Sequence, residues 1–151
     1  MTKTDLKKIQ KVTEKLLKLA DIKAEAEVVE NNDIIDITLT TEESGILIGY
    51  HGETIESLQL ILSLCIAKEL GSFQRISLEI GDYKKSRMSY LERLVAETKE
   101  KVITEHRPVT LSELKAWERR SVHVMLENDE DVSSESTGEG RDRVLTIMPK
   151  N

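Results

Sequence analysis

Between Leu6 and Ala20 the apolar residues fall at Leu6, Ile9, Val12, Leu16, Leu17 and Ala20, in steps of three and four, while lysines fill many of the other positions. That spacing gathers them on one side of a helix and predicts an amphipathic one. The period drops to two in residues 24–30 (AEAEVVE) and 34–40 (IIDITLT), both of which contain β-branched residues. Asn31-Asn32-Asp33 between them tolerates positive φ, so the pair is expected to form a β-hairpin. A short apolar segment, Ile46-Leu47-Ile48, then meets a turn bracketed by Gly49 and Gly52. From about Glu53 to Gly71 the sequence predicts a helix apolar on most of its surface, which belongs at the centre of a core. RISLEI at 75–80 alternates as a strand, and Met88, Leu91, Val95 and Val102 restore helical spacing from Tyr83 to about Thr104.

Pro108 disfavours helix at Arg107, and the β-branched Val109 and Thr110 follow, so a short extended segment and a domain boundary are expected here. The division reads as 1–105 and 106–151. In the second part Ser112 is a suitable N-cap for a helix carrying Leu114, Trp117, Val124 and Met125. Val132–Ser136 and Arg143–Met148 read as two strands joined by Thr137-Gly138-Glu139-Gly140. A unit of roughly 45 residues is too small to be secure alone, so it is expected to pack on the long helix before it. Neither an internal repeat nor a low-complexity linker interrupts the chain.

The charge complicates any role with polyanions, because the 151 residues carry a formal net charge of −6 and nucleic-acid affinity draws on Lys and Arg. Six of the 28 acids (Glu127, Asp129, Glu130, Asp131, Glu135 and Glu139) lie in one stretch without Lys or Arg, leaving 22 acids against 22 bases elsewhere. A balanced body can carry a basic face. The N-terminus lacks the apolar run of a signal peptide, and no stretch is long and apolar enough to span a bilayer, so the expected location is cytoplasmic, without membrane contact. Cys65 is the only cysteine and sits in an apolar run, which excludes an intrachain disulfide and a cysteine zinc site. No metal or cofactor is expected. The acids of the 129–131 loop lack a spaced histidine, so an enzyme is not expected either.

The strongest local feature is Gly49-Tyr50-His51-Gly52. Two glycines let the backbone turn sharply and approach a ligand, and the N–H groups opening the next helix attract an anion. Set in GILIGYHGETIESLQLIL, and followed by DYKKSRMSYLERLVAE, this segment resembles the type II KH domain of the Jag family (KhpB, the SpoIIIJ-associated protein). The resemblance implies that the loop clamps the backbone of single-stranded nucleotides while bases lie on an apolar groove. Carried over by position, Gly49 and Gly52 admit the sugar-phosphate chain, Thr54 at the helix start is a further nucleic-acid-binding candidate, and Ile46, Ile48, Ile55 and Leu58 belong to the groove or to the core beneath it. The two central positions, commonly basic in the family, are here Tyr50 and His51. Tyr50 offers a stacking surface and His51 a charge only when protonated. Lys84, Lys85 and Arg87, matching the basic start of the family's last helix, are expected to compensate.

A second constellation is Arg119-Arg120-Ser121-Val122-His123, in which Arg119 and His123 stand four apart on one helical face. With Trp117-Glu118 before it and Ser134, Ser136, Gly138, Gly140 and Arg141 after it, the stretch from Val109 to Pro149 resembles the Arg-x-x-x-His ("R-three-H") domain. In Jag proteins that single-stranded nucleic-acid-binding module directly follows the KH domain. The resemblance implies an α+β fold: a type II KH domain, a three-stranded sheet with helices on one face, followed by a small α/β Arg-x-x-x-His domain. Arg119 and His123 transfer as the named pair, with His123 either meeting phosphate or tied to a neighbouring group. Arg120, Arg141 and Arg143 are phosphate-contact candidates. The sequence starts at the KH module, so the extra N-terminal domain and linker of many Jag proteins are expected to be missing. The expected ligand is single-stranded RNA, or single-stranded DNA, bound without catalysis by an RNA chaperone or post-transcriptional regulator. The alternative is a protein-interaction module that pairs with a partner KH protein or with the translation machinery.

Overall fold

A computed structural model describes residues 1–150. The chain divides into two compact units, Met1–Lys84 and Lys85–Asn151. In the first, helix α1 (Lys3–Leu19) opens with a capping box. The Asp5 N–H donates to Thr2 Oγ1 at 3.2 Å and the Thr2 N–H donates to Asp5 Oδ2 at 3.1 Å, satisfying donors the first turn would leave open. Strands β1 (Glu25–Asn31) and β2 (Ile34–Thr40) pair antiparallel. The turn between them takes Asn32 and Asp33 to φ of 47° and 63°, the left-handed pair that a two-residue hairpin requires.

A five-residue helix α2 (Ser44–Ile48) precedes the glycine-bracketed turn, and α3 (Glu53–Leu70) runs from that turn to Gly71, whose φ of 71° ends it. Strand β3 (Arg75–Ile80) lies parallel to β2, giving the order β1-β2-β3. Alternation in β2 sends Ile35, Ile37 and Leu39 inward, where they meet Ile9 and Leu17 of α1 and Ile55, Leu58, Leu62 and Ile66 of α3. Gln59 of α3 covers part of the outer edge of β3, its Oε1 accepting the Leu78 N–H at 2.9 Å.

In the second unit, α4 (Tyr83–Glu105) contributes Leu91, Val95 and Val102 to a core shared with Leu114, Val122 and Leu126. Strands β4 (Val109–Leu111), β5 (Val132–Thr137) and β6 (Val144–Pro149) form an antiparallel sheet in the order β4-β6-β5, and α5 (Ala116–Leu126) packs beside it. Val132, Leu145 and Ile147 supply the sheet's buried side.

Two expectations change. The division falls at the start of α4 rather than after residue 105, because the apolar face of α4 is a wall of the second core. A unit built from 106 onward would lack that wall. Ser112 is also not the helix cap: Glu113 takes φ of 62°, the chain turns through Leu114, and α5 starts only at Ala116. The Glu118 carboxylate caps it instead, accepting the Lys115 N–H at 2.8 Å.

Candidate nucleic-acid interface

Gly49 closes α2 with its N–H donating to the Gly45 carbonyl at 3.0 Å, then turns to φ of 70°. A Cβ there would lie 2.0 Å from Thr54 Oγ1. Thr54 therefore serves the loop as the wall against which Gly49 sits. Gly52 takes φ of 78°, and a Cβ on it would lie 2.8 Å from the Tyr83 hydroxyl. His51 between them also has a positive φ, 49°. The segment is thus a tight backbone loop that only glycine accommodates at both ends.

The side chains it displays are Tyr50, 68% exposed, and His51, whose rings meet edge to face with centroids 4.1 Å apart. Ile46 is 73% exposed beside the loop, whereas Ile48 is half-buried and Ile55 and Leu58 belong to the core. Of the four groove-or-core candidates, only Ile46 faces fully outward. The first turn of α3 carries Glu53 and Glu56, which oppose the attraction its N-terminus holds for an anion.

The basic candidates after β3 divide. Lys84 Nζ donates to Ser77 Oγ at 2.9 Å and lies 3.7 Å from Glu79, while Lys85 is exposed. Arg87 is committed inward: its Nε lies 2.5 Å from Oε1 of the fully buried Glu118, and its guanidinium sits 4.6 Å from the centre of the Tyr90 ring.

On α5 the named pair is also engaged. Arg119 Nη1 donates to the Leu114 carbonyl at 2.5 Å, fastening the turn before the helix. His123 bonds through both ring nitrogens, Nδ1 with Ser134 Oγ at 2.7 Å and Nε2 with Ser136 Oγ at 2.8 Å, tying α5 to β5. Arg120 is exposed and lines a pocket of about 370 Å³ with His123, Val124, Glu127, Ser134 and Lys150. Arg141 and Arg143 are exposed at the β5–β6 connection, where Arg143 Nη1 reaches the Gly138 carbonyl at 3.3 Å.

The acidic stretch is held in place. Asp129 Oδ1 accepts the N–H groups of Asp131 and Val132, while Lys99 Nζ stands 2.6 Å from Asp129 Oδ2 and 3.3 Å from Asp131 Oδ2. The Lys99 side-chain hydrogen bond holds the Asp129 carboxyl below its ordinary range and, reciprocally, holds the Lys99 ammonium above its own.

These two units correspond to two known domain models in the same order. Residues 7–80 match the KH domain of KhpA/KhpB, and residues 89–149 match the R-three-H domain. The chain is 34% identical over 121 residues to the RNA-binding protein KhpB of Clostridium symbiosum, a match covering 80% of this chain and 54% of that protein. It is 28% identical over 132 residues to the protein of the same name from Lactiplantibacillus plantarum, covering 87% and 41%, and 24% identical over 130 residues to that from Bacillus subtilis, covering 85% and 62%. The chain belongs to the KhpB (Jag) family. It spans about half the length of the curated relatives it matches.

Within this family frame the KH match ends with β3 and the R-three-H match begins inside α4, near the division between the two cores. The pocket beside α5 adds residues that sequence reasoning missed. Lys150 reaches it because Val132 pairs with Pro149 in the β5–β6 ladder, which brings the end of β6 to the start of β5. Nothing in the local sequence around Lys150 signals that register. No helix among the described residues is long and apolar enough to cross a membrane.

Proposed function

We propose that this chain binds single-stranded RNA through both units and acts as an RNA chaperone or post-transcriptional regulator in the bacterial cytoplasm, with no chemistry of its own. The observation that carries this reading is the Gly49–Gly52 loop, where both glycines take positive φ and both lack room for a Cβ. Such a loop lets a sugar-phosphate backbone approach the main chain, with Ile46 and Tyr50 as exposed apolar surface and Lys84 as charge next to Tyr83, whose hydroxyl abuts Gly52. In the second unit the outer face of α5 with Arg120, held in place by Arg119 and His123, together with Arg141 and Arg143, supplies the other half of the grip. Two weak contacts on one strand reinforce each other through effective concentration. The relatives' name, RNA-binding protein KhpB, supports the same reading.

The double variant Gly49→Asp/Gly52→Asp tests it by fluorescence polarisation with a short single-stranded RNA. Most of the affinity should vanish at a temperature where circular dichroism still shows the first unit folded, although it melts lower because neither glycine has room for a Cβ, while the melting of the second unit stays as in wild type. Unchanged affinity would remove the KH loop from the site.

A second reading is favoured by one observation. Leu60, Ile61 and Leu64 are exposed and follow one another along a single face of α3. An apolar stripe of this kind suits pairing with a partner KH protein, and the matched domain description, KhpA/KhpB, fits such a pairing. Size-exclusion chromatography after nuclease treatment separates the readings, since an RNA-bridged complex falls apart and a protein-bridged one persists.

A further inference from the structure

We propose that the outer face of α5 and the pocket beside it form a one-nucleotide subsite, in which Trp117 stacks on a base while Arg120 and Lys150 hold the adjoining phosphate. This rests on the RNA-binding reading above and assigns the contacts within it. Arg119 and His123 are then positioning residues. Arg119 commits an Nη1 donor to the Leu114 carbonyl, and both His123 ring nitrogens are bonded to serine hydroxyls of β5. Each fixes an end of the α5 segment that presents the contact residues.

Trp117, Arg120 and Val124 stand at steps of three and four, so they share one side of α5. Trp117 is 37% exposed and Val124 63% exposed, which leaves an aromatic ring and an apolar shelf in solvent on either side of an arginine. Arg120 has no ion-pair or hydrogen-bond partner among the described residues. Lys150 donates to the Asp129 carbonyl at 2.6 Å, which orients its ammonium and leaves further donors open.

The pocket that Arg120, Val124 and Lys150 line, about 370 Å³, lies beside Trp117's side of α5 without including that ring; its volume is at the lower end of the roughly 300–1,000 Å³ of small-ligand sites. That suits one nucleotide of a strand. Glu127, on the same rim, disfavours a second phosphate and offers an acceptor for a 2′-hydroxyl or a base amine. Two cations for a phosphate and an aromatic for a base are the elements of sequence-tolerant single-strand binding.

Trp117 is the only tryptophan, so its emission reports the subsite directly. Titration of the full chain with short oligoadenylate should quench Trp117. Trp117→Ala should weaken binding by about fivefold or more, and Trp117→Phe should retain most of it. Arg120→Ala and Lys150→Ala should each weaken binding and reduce the salt slope by about 0.7, the value for one phosphate contact on a single strand. Binding by wild type with Trp117 unquenched and with Arg120→Ala and Lys150→Ala unaffected would overturn the subsite and leave RNA binding standing. If wild type binds neither this oligonucleotide nor mixed-sequence RNA, the underlying reading falls with it. Circular dichroism of each variant separates lost contacts from lost folding.

Discussion

Replacing Arg87 by Met removes the cation from a carboxylate with no access to water. Glu118 is 0% exposed at its side chain and Arg87 13%, with Nε and Oε1 2.5 Å apart. Breaking such a pair by deleting one partner costs about 3–5 kcal/mol, mainly because the remaining charge stays buried without compensation. At roughly 0.05–0.15 kcal/mol per residue, a unit of this size holds only about 3–10 kcal/mol in all. Arg87→Met should therefore remove much of the second unit's stability. The assay is urea unfolding followed by the emission of Trp117, which adjoins Glu118 in sequence. With a slope of about 1.5 kcal/mol per M, within the range of small proteins, the midpoint should fall by about 2–3 M. The double variant Arg87→Met/Glu118→Met should recover part of that loss, because it leaves no orphaned charge, less about 1 kcal/mol for the Glu118 cap on the Lys115 N–H that it gives up. A shift below about 0.5 M for Arg87→Met, or a double variant as unstable as the sum of the singles, would refute the reasoning. Weaker RNA binding at unchanged stability would instead return Arg87 to the role its basic context suggested.

Three further outcomes are expected. Gly49→Ala should cost about 1–3 kcal/mol from its positive φ, with further cost from the 2.0 Å approach to Thr54 Oγ1; adding Thr54→Ala should relieve the second part only, as read by melting temperature. The Lys99–Asp129 pair should give acid sensitivity: the Asp129 carboxyl is depressed in the fold by the Lys99 hydrogen bond, so its stabilisation is complete above the ordinary carboxylate range and is lost as pH falls through the folded value. Urea midpoints from neutral pH downward should show this loss, and Lys99→Met should flatten it. Finally, Tyr50→Lys/His51→Lys should tighten binding to single-stranded RNA and steepen its salt dependence by up to about 0.7 per lysine engaged, measured by polarisation across salt concentrations.

Much of the architecture was legible because each element has its own period and punctuation. Asn32-Asp33 marked the hairpin, Gly71 the end of α3, and the glycine pair the loop. What escaped depended on contacts distant in sequence. The domain boundary misled because Pro108 breaks the helix sharply, yet the packing of Leu91, Val95 and Val102 lies upstream of that break. Arg87 read as a surface base because its partner, Glu118, is 31 residues away. The spacing of Arg119 and His123 placed them on one face of α5, but spacing cannot reveal that Arg119 Nη1 is tied to the Leu114 carbonyl and both His123 ring nitrogens to Ser134 and Ser136.

The net negative charge also takes a different meaning once the acids are located. In the first unit Glu25, Glu27, Asp36 and Glu79 lie on the sheet face opposite Ile35, Ile37 and Leu39, directed away from the helical side. In the second, Asp129 is neutralised locally by Lys99 and fixed by two backbone donors. Over distances beyond about 8 Å at physiological salt these charges are largely screened. A phosphate therefore responds to the charges next to it rather than to the total. Around the glycine loop those charges include Glu53 and Glu56 and no lysine or arginine within the loop itself, whereas the α5 pocket sets Arg120 and Lys150 against the single carboxylate of Glu127. If the proposed RNA binding holds, this local balance predicts the stronger phosphate grip in the second unit, with the glycine loop of the first, helped by Lys84, contributing mainly shape.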